Sequence, residues 1–390
     1  MIDKRTPVLL LGGKENSLSI ARNLGRMGIA VRVSGAANCL GMYSRFCAER
    51  LPVPGNTPQS DHWKRLLLGS DRRLDGHIVL ALSDAAIEFL LENREELANR
   101  YILDEVDPAL QRDLLDKQRT LELAAKVGVD APRHWQVASE ADIEALRGHI
   151  IFPAMVKPKQ SHRFAEVFGG KLFIVESDFD ELRRRVAQCF QHRIAVMITE
   201  MVPGPDDLLT SYYTYMDGTG RRLFRYTKQI IRRWPVNQGN ACYHAGAWQP
   251  ETAAAAERLL DRLSYRGIAN VEFKRDRRDG KLKLIEINTR ITAAQELPVR
   301  QGIPIDLIIY LHLTGQPVPT YPFYREDLRL WHPVRDFMCF LDLRRSQGMT
   351  LRQWLASVTG ANNILPSFCL SDPGPMVGAA YAMCRKLVSA

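Results

Sequence analysis

The sequence predicts a mixed fold, α/β at the N-terminus and α+β beyond it. Three observations point there. The chain opens with strand, glycine turn, helix and strand in quick succession. A second strand–helix unit begins near residue 77. From about residue 108 the texture changes to a helix, short strands and one long hairpin. At 390 residues the chain is long for one core, so two or three domains are expected.

Each element has a local reason. "PVLLLGG" (7–13) is a buried strand entering a turn. "NSLSIARNLGRMGI" (16–29) is an amphipathic helix with Leu18, Ala21, Leu24 and Met27 on one side and Gly28 suited to end it. "AVRVSG" is the next strand. In "GHIVLALSDAAIEFLLENREEL", Asp84 is the expected cap of a helix carrying Ile87, Leu90 and Leu91. The turn "GGKENS" lacks G-x-G-x-x-G spacing, so no dinucleotide site is assigned. The helical stretch "DPALQRDLLDKQRTLELAAKVGVDAP" breaks at Gly128 and Pro132. Strands "IIFPAMVKP", "KLFIVES" and "IAVMITEMV" follow, with the helix "DFDELRRRVAQCF" among them. Two further strands and a helix at "ETAAAAERLLDRLSY" lead into the hairpin. No internal repeat or low-complexity segment is present.

Composition is that of a globular protein, 46% hydrophobic and 25% charged. The formal charge of +9 suits an anionic partner. The basic residues lie in short dispersed clusters without interleaved aromatics, which disfavours nucleic acid and suits a phosphate-bearing small molecule. Seven cysteines are scattered with no C-x-x-C pair, as expected of free thiols in a reducing compartment. The apolar run at the N-terminus is too short for a signal peptide, and no stretch is long enough for a membrane helix. A cytoplasmic protein is expected.

The hairpin "NVEFKRDRRDGKLKLIEINTR" (270–290) holds a turn signal, Asp279-Gly280, between two alternating runs. With a three-residue loop, 278 to 280, Arg277 pairs with Lys281. Val271 then faces Ile287 and Phe273 faces Ile285 on one side. Glu272 faces Glu286 and Asn270 faces Asn288 on the other. A two-residue loop would shift this register. Opposed carboxylates repel, so they need a cation, a shared proton or open water. Two carboxylates and an amide oxygen suit Mg²⁺, which shares its shell with phosphates and water. The alternative is a solvated polar face with Glu272 paired to a nearby base.

These residues resemble the metal-binding hairpin of the ATP-grasp superfamily. The resemblance implies an ATP-grasp fold with an N-terminal pre-ATP-grasp, Rossmann-like α/β domain. The expected division is 1–108 for that domain, 109–320 for the ATP-grasp domain (lid about 133–203, metal-binding part about 204–320) and 321–390 for a C-terminal extension. By the same resemblance Glu272, Glu286 and Asn288 would hold Mg²⁺, with Mn²⁺ as an alternative. Arg290 would stabilise the transferred phosphate; its fork matches phosphate oxygens and never loses charge. Lys117 and Lys157 would sit at the ATP phosphates. In "ITEMVPGPDD", Glu200 would accept from the adenine amine, Met201 and Val202 would bond the ring edge by their backbone, and Asp207 would lie near the ribose. "QSHRFAEVFGGK" falls where the family has a mobile phosphate loop, with Ser161, His162 and Lys171 as contacts.

Within the superfamily the chain resembles the carbamoyl-phosphate-synthase-like branch and its D-aspartate-ligase-like carboxylate–amine ligases. "TKQIIRRWPVNQGNACYHAG" carries that likeness, with Lys228 and Arg232 as its functional members, as does the N-terminal "ENSLSIARNLGRMGIAVRV". The implied reaction phosphorylates a carboxylate with MgATP and lets an amine displace phosphate. Rival readings are ATP-grasp phosphotransfer, thiol ligation, or a non-catalytic nucleotide-binding module. A homodimer is a common assembly for an enzyme of this size. Arg300 is a candidate for holding a substrate carboxylate, against its reading as a helix-surface arginine. Tyr212, Tyr213 and Tyr215 are candidates for an acceptor pocket, against strand-core packing.

Overall fold

The computed structural model describes residues 1–159, 164, 167–322 and 324–378. Its first sheet contains β1 (Val8–Leu11), β2 (Val31–Gly35), β3 (Cys47–Pro52) and β4 (Ile78–Ala81). They run parallel in the order β3-β2-β1-β4. Every side chain of β1 is buried, as a central parallel strand requires. The helix Glu15–Arg26 follows β1 and ends at Gly28, whose φ of +85° suits a residue without Cβ. The cap of the next helix is Ser83, whose hydroxyl accepts from the Ala86 N–H. Asp84, expected as that cap, is the first helical residue and is turned to another use.

A second sheet follows: β5 (His134–Gln136), β6 (Ala154–Pro158), β7 (Phe173–Val175) and β8 (Val196–Glu200), antiparallel in the order β5-β8-β6-β7. The helix Phe179–Gln191 packs Leu182, Val186 and Cys189 against its buried face.

The third sheet has seven strands: β9 (Leu209–Met216), β10 (Tyr226–Trp234), β11 (Asn240–Gly246), β12 (Gly267–Arg275), β13 (Leu282–Asn288), β14 (Leu328–Trp331) and β15 (Asn362–Ile364). Their order is β13-β12-β9-β10-β11-β14-β15. One face buries Tyr212, Val271, Phe273, Leu284 and Ile287 under the helix Pro250–Arg262. On the other face Tyr213, Tyr215, Tyr226 and Ile268 share a core with Leu10, Ile20 and Leu24 of the N-terminal domain. That shared core fixes the two units against each other.

The hairpin register is as expected where the carboxylates lie: Asn270 faces Asn288, Val271 faces Ile287 and Glu272 faces Glu286. The expected loop is not. A bulge after Glu272 sets Phe273 opposite Leu284, and Asp276, not Arg277, meets Lys281 by a 2.8 Å backbone bond. The physical reason is burial. Leu284 is fully buried while Ile285 is only half-buried, so the extra residue is absorbed at Ile285. The longer loop and the bulge cancel at the site.

The segment beyond residue 320 is woven into the sheet. It supplies β14 and β15, and its helix Pro333–Gln347 packs on β10 and β11. The lock is Asp336, which is fully buried. It accepts from Arg232 Nε (2.7 Å) and Nη2 (2.9 Å), from the Trp331 and Trp354 indoles (2.9 Å each), and from Cys242 Sγ at 3.5 Å. A second buried pair, Arg22–Asp372 at 2.8 Å, ties the end of the described C-terminal segment to the first helix. Among the described residues no helix is long and apolar enough to cross a membrane. Asp336→Ala leaves a guanidinium and two indole N–H groups buried without their acceptor. It should cost about 3–5 kcal/mol in urea unfolding; a loss below about 1 kcal/mol would mean the lock is dispensable.

Candidate active site

Strand pairing assembles one polar row across four strands. Lys228 on β10 faces Ser211 on β9, Ser211 faces Glu272 on β12, and Glu272 faces Glu286 on β13. The next row on the same face is Tyr226, Tyr213, Asn270 and Asn288. At about 4.8 Å per strand the first row spans roughly 14 Å. Nothing in the local sequence of β9 or β10 marks them as partners of the hairpin; the sheet order does it.

The two glutamates are half-buried in a recess that solvent reaches but protein surrounds. Burial, and then the charge of Glu286, push the Glu272 carboxyl up to about 7. Burial works against Glu286 as well. Lys117, the Asn288 amide, Lys171 and Arg290 outweigh it and hold that carboxyl below its ordinary range. The pair is therefore short of positive charge at its centre. Asn288 Nδ2 donates to Glu286 Oε1 at 2.9 Å, which leaves the Asn288 oxygen for another partner. Ser211 Oγ, Tyr213 OH and both amide atoms of Asn270 are buried with no hydrogen-bond partner. Among the described residues no three His, Cys, Asp or Glu are grouped to hold a metal alone. Two carboxylates, an amide oxygen and unpaired acceptors fit Mg²⁺, which takes the rest of its shell from phosphate and water.

The cations expected nearby lie in the same recess. Lys157 lies on β6 and Lys117 begins the helix Lys117–Lys126; Lys157 feels the charges of both Lys117 and Glu286. Lys228 is buried, and its ammonium stands 5.9 Å from the Tyr213 ring centroid. Burial lowers its pKa, with Glu272 and Glu286 pulling the other way. Lys171 Nζ donates to Asn240 Oδ1. Ser161 and His162 lie outside the described residues. Arg290 donates through Nε to Asp84 Oδ1 at 2.7 Å, tying the end of the hairpin to the N-terminal domain.

Two expectations change. The Glu200 carboxylate is buried and already accepts from the Arg133 N–H (3.0 Å), Lys283 (3.2 Å) and Arg278 (3.0 Å), so most of its acceptor capacity is spent holding the hinge. The groups left at that hinge are the Met201 carbonyl and the Val202 N–H, which make no hydrogen bond among the described residues; the Met201 N–H is spent on Pro153. Arg232 faces the C-terminal helix and is committed to Asp336 and Ser357. Its role is to position that helix. Asp207 is exposed at the hinge, beside a buried Asp206 that binds Arg233 at 2.6 Å. Tyr212 and Tyr215 are core, bonded to Glu257 and Asp104, whereas Tyr213 joins the polar face. Arg300 is exposed and lies in a different cleft.

A cluster not anticipated from the sequence closes the recess. Glu15, in the first turn after β1, stands 3.2 Å from Arg335 and 4.0 Å from His332 of the C-terminal segment. The His332 and His244 rings are 6.5 Å apart. Burial keeps both imidazoles neutral, His332 at about 4. Only spatial proximity of residues 15, 244 and 332 could have revealed this group.

No family model matches the chain. Among solved structures it is similar to the L-amino acid ligase from Bacillus licheniformis, with TM-score 0.59, 15% identity and 80% and 75% of the two chains covered. It is also similar to biotin carboxylase from Campylobacter jejuni, with TM-score 0.63, 12% identity and 82% and 74% covered. The chain has the ATP-grasp fold. Among curated proteins, D-aspartate ligase of Enterococcus faecium is 25% identical over 227 residues, 55% of this chain and 53% of that protein. D-alanine–D-alanine ligase of Stutzerimonas stutzeri is 23% identical over 180 residues, 45% of this chain and 55% of that one. The chain thus spans about half the length of these two relatives. In this chain the second sheet and the seven-stranded sheet meet at the Glu200 hinge, and Lys157 and Glu286 stand close enough for their charges to act on each other.

Removing the repulsion should stabilise the metal-free protein. The Glu272 carboxyl titrates above its unfolded value of 4.5, so its cost begins there and is complete above about 7. Glu272→Gln should therefore gain on the order of 2 kcal/mol at pH 8 and nothing at pH 4. Denaturation at both pH values checks this; an equal or lower stability at pH 8 would contradict it.

Proposed function

We propose that this chain is an ATP-dependent carboxylate–amine ligase. The observation that carries the reading is the Glu272–Glu286–Asn288 set lying in register beside Lys228, within reach of the charges of Lys117, Lys157 and Arg290. The Met201 carbonyl and the Val202 N–H would read the edge of adenine, and Lys117 and Lys157 would hold the phosphates. Glu272, Glu286 and the Asn288 oxygen would hold Mg²⁺, which when bound screens charge on the phosphate oxygens. A carboxylate oxygen of the substrate would attack the γ-phosphorus, and the bond to the β,γ-bridging oxygen would break to release ADP. An amine nitrogen would then attack the acyl carbon, lose a proton and expel phosphate, leaving an amide.

The chain's own contribution is position and charge. Arg290 would spread the charge that builds on the transferred phosphoryl group, and Asp84 would hold its guanidinium in place. Lys228, buried and poorly solvated, would offer an undiluted cation to the developing anion. A carboxylate is a weak electrophile because oxide leaves badly; phosphorylation supplies the leaving group. A cytoplasmic setting fits this reading, with ATP at hand and six described cysteines unpaired.

Hydroxylamine traps an acyl phosphate as a hydroxamate. MgATP, hydroxylamine and a panel of amino acids and dicarboxylates should give hydroxamate with at least one carboxylate. Glu286→Ala should cut phosphate release at least about a hundredfold while its unfolding curve stays cooperative. ATP consumption with a non-carboxylate acceptor, or turnover by folded Glu286→Ala, would overturn the proposal. Lys157 gives a second check. Burial, then Lys117, lower its pKa to about 8. Phosphate oxygens would restore its charge, so wild type should take up close to one proton more than Lys157→Met on MgATP binding near pH 9 and close to none more near pH 7, where Glu272 releases its proton on metal binding in both. Calorimetry in buffers of different ionisation enthalpy reads this difference.

A further inference from the structure

A cleft of about 570 Å³ lies between the first helix, the helix Glu296–Gln301 and the C-terminal segment. Four arginines line it: Arg22, Arg26, Arg300 and Arg325. Two are already neutralised. Arg22 is bound to Asp372 at 2.8 Å, and Arg325 to Asp327 at 2.6 Å. The other two have no carboxylate partner among the described residues. Arg26 rests on the Phe46 ring at 5.2 Å and reaches Cys369 Sγ at 3.6 Å. Arg300 makes no hydrogen bond or salt bridge among the described residues, although it stands close enough to feel the charge of Glu296. Glu296 is the one carboxylate of the described lining; it is buried, bonded to Ser19 at 2.8 Å, and burial raises its pKa. Asn363 Oδ1, in the same lining, is buried with no partner.

This cleft is separate from the polar row. Arg26 ends the helix that Glu15 begins, so the two lie roughly 16 Å apart along its axis. The far wall belongs to the helix that follows Arg290, and its Gln301 accepts from the Tyr226 hydroxyl at 2.5 Å. Two guanidinium groups that line one open cleft, both close enough to act on Glu296, repel each other until an anion sits between them. Their geometry favours paired oxygens over a point charge. We propose that the cleft binds a small dianion, a dicarboxylate or a phosphate monoester, held between Arg26 and Arg300.

Cys369 is a reporter already in the wall. Its thiol pKa is lowered, first by the Ser371 hydroxyl and also by the charges of Arg22 and Arg26. Alkylation of the full chain is followed at each cysteine by peptide mass spectrometry. Iodoacetate carries a negative charge and iodoacetamide does not, so their rate ratio reports local anion recruitment independently of the thiolate fraction. At Cys369 the ratio should exceed that of 2-mercaptoethanol about tenfold. It should fall to the reference value in Arg300→Gln and in Arg26→Gln, both changes at exposed side chains. Succinate and inorganic phosphate should each slow the wild-type reaction; the one effective at lower concentration identifies the head group. A ratio equal to the reference, a ratio unchanged in both variants, or protection by neither anion would overturn the assignment. None of these readouts uses ATP turnover, so they stand apart from the ligase proposal.

Discussion

The structure turns on a repulsion. Glu272 and Glu286 are held side by side in a half-buried recess by a ladder that cannot separate them. Everything around them answers that charge. Lys228 is buried within its field, Lys117 and Lys157 approach from other elements, and Arg290 closes the end of the strand. Core packing on the opposite face, through Val271, Phe273 and Leu284, fixes the register that forces the carboxylates together. Apolar burial on one side thus sustains electrostatic tension on the other.

Much of this was legible in the chain. Period-two alternation in 270–290 sorts Glu272, Glu286 and Asn288 onto one face without any structure. The β-α-β opening reads equally well, because buried strands and an amphipathic helix carry their own periodicities. What failed was local and mechanical. The turn signal Asp279-Gly280 does not encode loop length, and the bulge at Ile285 responds to packing that no single strand reveals. Asp84 looked like a cap because it precedes a helical pattern, but Ser83 holds that place and frees Asp84 for Arg290.

Other features were beyond sequence reasoning because they are made by contact across the chain. Glu15, His244, His332 and Arg335 come from three distant segments. Arg232 carried the right residue type for a catalytic role, yet its partner lies 104 positions away. Glu200 has the chemistry to bind a base, and only the fold shows the three donors that already occupy most of it. The C-terminal segment suggested no chemistry, but it finishes the sheet and brings His332 beside Glu15.

The turn of the hairpin has a meaning beyond its own geometry. Arg278 and Lys283 grip Glu200 at the hinge, while Glu286 and Asn288, the proposed metal ligands, lie a few residues along the same strand. One ribbon therefore touches both places where the two ends of a nucleotide would rest. It works as a ruler whose graduation is the strand rise, about 10 Å from residue 283 to residue 286. The bulge at Ile285 falls within that interval, so the packing of Leu284 on the core helps set the measure.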